Sequence, residues 1–180
     1  ATQAERQPGS AMKPFVYLAA IQSGKTPGSI VEDSPVSFGS WSPKNYENDF
    51  VGSITYRYAL QHSRNVAAVK IADEVGMTKV IKLAKEMGIS TLTDQDYNLS
   101  TALGGLTHGV TPLEMVQAYG VLANGGIKVQ PTAILKIVDR NGQVVEEHSI
   151  QEKRVVDEKD AAIITNMLES VINGGTGGNA

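Results

Sequence analysis

The chain has 180 residues, enough for one domain or a large part of one, and its 41% hydrophobic and 19% charged content is close to ordinary globular usage. A formal net charge of −3 predicts no general attraction to nucleic acid or to an anionic membrane surface. The lack of cysteine excludes disulfides, thiol catalysis and cysteine-based metal sites, and no run reaches the roughly 20 apolar residues of a membrane span.

The opening stretch, 1–9, is polar and ends in Pro8-Gly9, a turn signal. A helix is predicted next, capped by Ser10, with Pro14 tolerated in a first turn whose N–H groups lack partners anyway. Phe15, Leu18, Ala19 and Gln22 share one of its faces, Val16 and Ala20 lie beside it, and Gly24 ends it. Residues 24–50 read as a long irregular segment with Pro27, Pro35 and Pro43; such segments inside compact domains are uncommon and often functional. Trp41, Tyr46 and Phe50 are expected to pin it to the core.

From Ser53 to about Gln61 the pattern is helical, followed by a polar break at His62-Ser63-Arg64-Asn65. A second helical run, Val66 to Val75, ends at Gly76; Thr78 is expected to cap a helix through Met87, closed by Gly88. Thr111 caps a further helix, with Pro112 at its first position and Glu114 completing a capping box. Alternating branched residues over Thr132–Asp139, then Asn141-Gly142 and Gln143–Glu146, predict a hairpin. Asp157 is expected to cap a last helix with Ala161, Ile164, Met167, Leu168 and Val171 inward, stopped by Asn173-Gly174-Gly175. The elements read as mainly α with a small β-hairpin.

Four residues stand out chemically. Ser10 and Lys13 form Ser-x-x-Lys, and three residues apart on a helix puts both side chains on one face. A serine at a helix start has an unpaired backbone N–H in the positive field of the dipole, which suits a developing oxyanion. Lysine is a poor base at its ordinary pKa of about 10.4, but burial or a nearby cation can lower it, and a neutral Lys13 could take the Ser10 proton. Ser63 and Asn65 form Ser-x-Asn. Taken alone, both patterns are common: serines cap helices, and such tripeptides fill loops.

Flanking residues sharpen the picture. The run Arg6-Gln7-Pro8-Gly9-Ser10-Ala11-Met12-Lys13-Pro14-Phe15 resembles the nucleophile segment of penicillin-binding proteins, whose motifs run Ser-x-x-Lys, Ser-x-Asn, Lys-Thr/Ser-Gly. Ser63-Arg64-Asn65-Val66-Ala67-Ala68-Val69-Lys70 is similar to the second motif and its helix, and Trp41-Ser42-Pro43-Lys44-Asn45-Tyr46 to the segment before it. Ala102-Leu103-Gly104-Gly105, Gly109-Val110-Thr111-Pro112-Leu113-Glu114-Met115, Ala118-Tyr119 and Ala123-Asn124-Gly125-Gly126 match in kind and order. The likeness is nearest to the bifunctional, glycosyltransferase-linked class A enzymes, which carry a run similar to Gly175-Thr176-Gly177-Gly178-Asn179-Ala180 before their third motif.

No Lys-Thr-Gly or Lys-Ser-Gly occurs: Lys25-Thr26-Pro27 lacks the glycine, and Gly175-Thr176-Gly177 lacks the lysine and reads as a turn. The expectation is a partial transpeptidase domain over 1–180, truncated at both ends: the helical lobe and partial sheet of the α/β serine β-lactamase/penicillin-binding-protein transpeptidase fold. The isolated fragment is expected to acylate poorly, because the family draws one oxyanion donor from the strand of the third motif.

The resemblance implies a D,D-transpeptidase. Ser10 attacks the penultimate D-Ala carbonyl of a D-Ala-D-Ala stem peptide, Lys13 is the base, Ser63 relays the proton to the leaving D-Ala, and Asn65 bonds the substrate amide and Lys13. Peptidoglycan stem peptides and β-lactam antibiotics are the implied partners; no cofactor or metal is implied. The implied location is the outer face of the bacterial cytoplasmic membrane, with any anchor or leader expected outside this chain. Alternatives within the fold are a D,D-carboxypeptidase or a β-lactamase, although no Glu-x-x-Leu-Asn segment is found, and outside catalysis a non-catalytic binding module. Further matches carry less. Gly24-Lys25-Thr26 lacks the earlier glycine of a P-loop, where Ala19 stands, and His62, His108 and His148 are too scattered for a zinc motif. His108 reads as a loop histidine, and Glu114 as a capping partner.

Overall fold

In the computed structural model, which describes residues 1–179, one helix is buried on every side. This is α1 (Lys13–Gln22), in which every residue from Lys13 to Ile21 is buried. Its sequence after Lys13, Pro-Phe-Val-Tyr-Leu-Ala-Ala-Ile, is apolar all round, as a core helix requires. A 3₁₀ turn, Gly9–Met12, leads into it. Ser10 sits within that turn and does not cap the helix; no side chain caps either element. The tighter turn closes on itself, with Ala11 N donating to Pro8 O at 3.2 Å, so the Ser10 hydroxyl is left for other work.

β1 (Ile30–Asp33) lies within the segment expected to be irregular, antiparallel to β2 (Gly52–Thr55), with Ile30 opposite Thr55 and Asp33 opposite Gly52. The helix expected from Ser53 therefore starts later, as α2 (Tyr56–Gln61), and the Thr55 side chain caps it by accepting from Tyr58 N. α3 (Asn65–Val75) and α4 (Met77–Met87) follow. Gly76 both ends α3 and begins α4, which moves Thr78 inside the helix it was expected to cap.

α5 (Pro112–Ala123) starts as predicted: Glu114 N donates to Thr111 Oγ1 at 3.2 Å, and Thr111 N donates back to Glu114 Oε2 at 2.9 Å. β3 (Ile127–Val129), β4 (Lys136–Val138), β5 (Val144–Glu147) and β6 (Glu152–Arg154) come next. β4 and β5 form the predicted hairpin, and β3 pairs antiparallel with β6. α6 (Glu158–Gly174) buries Ala161, Ile164 and Met167; Asp157 holds its N-cap position without a side-chain cap bond.

The architecture is the expected helical lobe with small antiparallel pieces of sheet, and among the described residues it has two strand pairs more than the single hairpin predicted. α1 is wrapped by α3, α4 and α6, so its first residues are held from several sides. The aromatic anchors expected for the long segment are corrected. Tyr46 is 91% exposed, Phe50 is on the surface, and Trp41 pairs only locally with Phe38, their backbones bonded both ways. A buried polar network pins the segment instead.

Candidate active site

Burial of α1 forces the question of how its one charged residue is accommodated. Lys13 is only 1% exposed. Its ammonium has three protons to donate, and it places them on Ser63 O at 2.6 Å, Ser63 Oγ at 2.8 Å and Asn65 Oδ1 at 2.7 Å. Ser63 Oγ in turn donates to Ser10 Oγ at 3.0 Å. Ser10, Lys13, Ser63 and Asn65 thus form one hydrogen-bonded chain, although the two pairs are far apart in sequence. The link from Lys13 to Ser10 passes through Ser63, whereas the sequence suggested direct contact along the helix face.

Burial lowers the Lys13 pKa from its ordinary value to about 8, and the nearby Arg64 charge lowers it further within that shift. As the second residue of its turn, Ser10 has an amide that the helix itself cannot satisfy, leaving a donor beside the hydroxyl. A cavity of about 390 Å³ opens on this chain, lined by Ser10, Ser63 and Asn65 and rimmed by Tyr46, His62 and Thr176. A larger groove of about 760 Å³, between Lys85 and Arg154, contains no nucleophile and base in contact.

The Ser10 turn is clamped from three directions. Gly104, at φ +78°, lies against the backbone of Gly9: a Cβ on Gly104 would come within 2.3 Å of Gly9 N and O. Tyr119 on α5 donates its hydroxyl to Ala11 O at 3.0 Å. Gln7 and Leu106 exchange two bonds of 2.7 Å, side chain to backbone in both directions.

The other half of the site is held by residues that the sequence did not single out. Arg64 Nε and Nη2 bond Asp33 Oδ2 at 2.8 and 2.7 Å, and Arg64 Nη1 reaches Asp49 Oδ1 at 2.8 Å. Asn45 donates to Asp33 Oδ1 at 2.8 Å and accepts from Val66 N at 3.1 Å. Asp33 is fully buried and Arg64 is 8% exposed. Removing one partner of such a pair typically costs about 3–5 kcal/mol, because the other charge is left uncompensated. Burial works against the Arg64 charge, but the bonds from Asp33 and Asp49 outweigh it and raise its pKa. The signals were faint: Asp33 and Asn45 stand in a polar segment where solvated side chains are the rule.

Ser63 has a φ of +50°, unusual for a residue with a side chain and costing about 1–3 kcal/mol where surroundings impose it. That backbone turns both its carbonyl and its hydroxyl onto Lys13. His108 is exposed, and Glu114 is occupied by Thr111 and Ser90, so neither joins the site. Among the described residues, no group of three or more His, Asp or Glu is placed to share a metal ion, and no helix is long and apolar enough to cross a membrane.

With this geometry in view, the family model for the penicillin binding protein transpeptidase domain matches residues 1–180. The chain is 40% identical to penicillin-binding protein 1A of Rickettsia conorii, covering 93% of this chain and 22% of that protein. It is 41% identical to penicillin-binding protein 1A of Aquifex aeolicus, over 98% of this chain and 24% of the relative. The chain therefore spans about a quarter of the length of these relatives. The crystal structure of penicillin-binding protein 1A from Haemophilus influenzae superposes with a TM-score of 0.92 at 27% identity, covering 99% of this chain and 32% of that one. The PonA1 protein of Mycobacterium tuberculosis, solved in complex with penicillin V, gives a TM-score of 0.84 at 25% identity, over 94% of this chain and 48% of that one.

Proposed function

Because the chain belongs to the penicillin-binding-protein transpeptidase family, we propose that the natural protein carrying it cross-links peptidoglycan stem peptides through an acyl-enzyme on Ser10. The observation that carries this reading is the unbroken chain from Ser10 through Ser63 to a buried Lys13, opening onto a cavity.

The hydrogen-bond chain serves both protonation states. With Lys13 charged, the protons point from Lys13 to Ser63 to Ser10. With Lys13 neutral, the hydroxyls rotate and the chain reverses, so that the Ser10 proton moves to Ser63 as the Ser63 proton moves to Lys13. Ser10 Oγ then bonds the penultimate D-Ala carbonyl carbon, and the carbonyl electron pair goes to its oxygen, facing the Ser10 N–H. Collapse breaks the C–N bond, and the departing D-Ala amine takes back the proton held on Lys13, through Ser63. Asn65 donates to Lys44 O at 3.0 Å with one amide proton, and the other is available to the substrate amide. An amine of a second stem peptide then attacks the ester carbonyl, and its surplus proton passes by way of Lys13 and Ser63 to Ser10 Oγ as the C–O bond breaks, which forms the cross-link and frees Ser10. A β-lactam enters the same path, its ring C–N bond breaking while the fragments stay joined. The proposed location is the outer face of the bacterial cytoplasmic membrane.

Labelling with a fluorescent penicillin tests the reading. Ser10→Ala in the natural protein is expected to abolish covalent labelling; persistent labelling would remove Ser10 as the nucleophile. Product analysis with a stem peptide and an amine acceptor separates transfer from hydrolysis.

A further inference from the structure

Arg64 stands between the two residues that grip Lys13, and its side chain leaves the backbone on the opposite side. Its own backbone is extended, with φ −65° and ψ 117°. Ser63 and Asn65 turn onto Lys13, while Arg64 between them turns into the buried carboxylate of Asp33.

That carboxylate is engaged on both oxygens. Oδ2 takes the Arg64 fork and the Val51 N–H at 3.3 Å, and Oδ1 takes the Asn45 amide. Asn45 also donates to Asp49 O at 2.9 Å, to which Arg64 Nη2 donates as well, at 2.8 Å. On its other side, Asn45 satisfies Val66 N–H, one of the first-turn amides that α3 leaves unpaired. The clamp therefore fixes the backbone on both sides of Asn65 and immediately after the strained Ser63. A residue in a sparsely populated conformation keeps it only where its surroundings over-determine it.

We propose that the buried Asp33–Arg64 pair, with Asn45, is a positioning device that holds the Ser63–Asn65 turn in the one geometry able to pass a proton between Ser10 and Lys13. The proposal rests on Ser10 being the acyl-accepting nucleophile. Arg64 acts through Ser63 and Asn65, and a small displacement of Ser63 is enough to open the gap on either side of its hydroxyl. The Arg64 charge adds to the lowering of the Lys13 pKa, which burial dominates.

The test uses Arg64→Lys in the natural protein. It keeps the charge but replaces a planar fork with a single ammonium that cannot hold Asp33 and Asp49 together. The limiting rate constant for penicillin labelling of Ser10 is expected to fall at least about tenfold, with the half-saturating concentration changing less than about threefold. The final amplitude reports the folded fraction, so a purely structural role would lower amplitude and leave the rate constant alone. If Arg64→Lys does not fold, Asn45→Ala decides instead, because it removes the bonds to Asp33 Oδ1 and from Val66 N while leaving the Arg64 ion pairs in place. A slower limiting rate at unchanged half-saturation supports the proposal. A rate constant equal to that of the unmodified protein overturns it and leaves the nucleophile assignment standing. If the unmodified protein gains no adduct on Ser10, both fall.

Discussion

Ser63 stands between Lys13 and Ser10: its hydroxyl accepts from Lys13 Nζ at 2.8 Å and donates to Ser10 Oγ at 3.0 Å. Proton transfer along this chain needs Lys13 neutral. With a pKa lowered to about 8, the neutral form is about a tenth of the population at pH 7, against well under a thousandth for an ordinary lysine. Acylation is therefore expected to rise about tenfold per pH unit on the acid side and to level off above pH 8. Rate constants for penicillin labelling between about pH 5.5 and 9.5 check this. A flat profile would contradict Lys13 as the base.

The turn that carries Ser10 depends on Gly104. A Cβ there would overlap Gly9 N and O at 2.3 Å, and the φ of +78° already disfavours a side chain. Gly104→Ala is expected to destabilise the protein by at least about 2 kcal/mol. It should also slow acylation of whatever remains folded, because Gly9 adjoins Ser10. Denaturant unfolding and labelling kinetics measure the two effects, and a stability within about 0.5 kcal/mol of the unmodified protein would show that the contact is looser.

Tyr17 makes the opposite prediction. It is fully buried on α1, and among the described residues its hydroxyl has no hydrogen-bond partner. Burial raises its pKa well above the ordinary tyrosine value, with Tyr56 and Asp33 adding to the shift. An unpaired buried hydroxyl costs about 1–3 kcal/mol, so Tyr17→Phe is expected to be neutral or stabilising by about 1 kcal/mol. The edge-on packing with Tyr56, at 5.9 Å between ring centres, survives the change. A clear loss in melting temperature would mean that the hydroxyl is paired in solution.

The chain contains no Lys-Thr-Gly or Lys-Ser-Gly. A polypeptide of these 180 residues is expected to acylate about 10²–10³-fold more slowly than a longer one carrying that motif, because the family resemblance implies that the motif's strand supplies a second oxyanion donor. Time courses with a fluorescent penicillin compare the two. Equal rates would show that the Ser10 amide suffices.

Much of this was legible because the chemistry is written at short range. Ser10 with Lys13, Ser63 with Asn65, and the Thr111–Glu114 capping box each need only residue types at fixed spacing. What failed was long-range. Ser53–Thr55 reads as helix until β1 pairs with it, and strand pairing depends on a partner that local propensity does not contain. Asp33 looks like any loop carboxylate until Arg64 folds back onto it. Tyr46 and Phe50 were expected to be buried because they are aromatic, yet exposed apolar residues are ordinary, and Tyr46 lies at the rim of the cavity. The cap expected of Ser10 is absent, and its hydroxyl instead accepts from Ser63 Oγ.

The most direct measurement is the intact mass of the natural protein after incubation with penicillin, followed by peptide mapping of any adduct. One penicillin added per molecule, located on the peptide containing Ser10 and absent from Ser10→Ala, is the predicted result. An unchanged mass, or an adduct on another residue, would contradict the assignment of Ser10 as the acyl-accepting group.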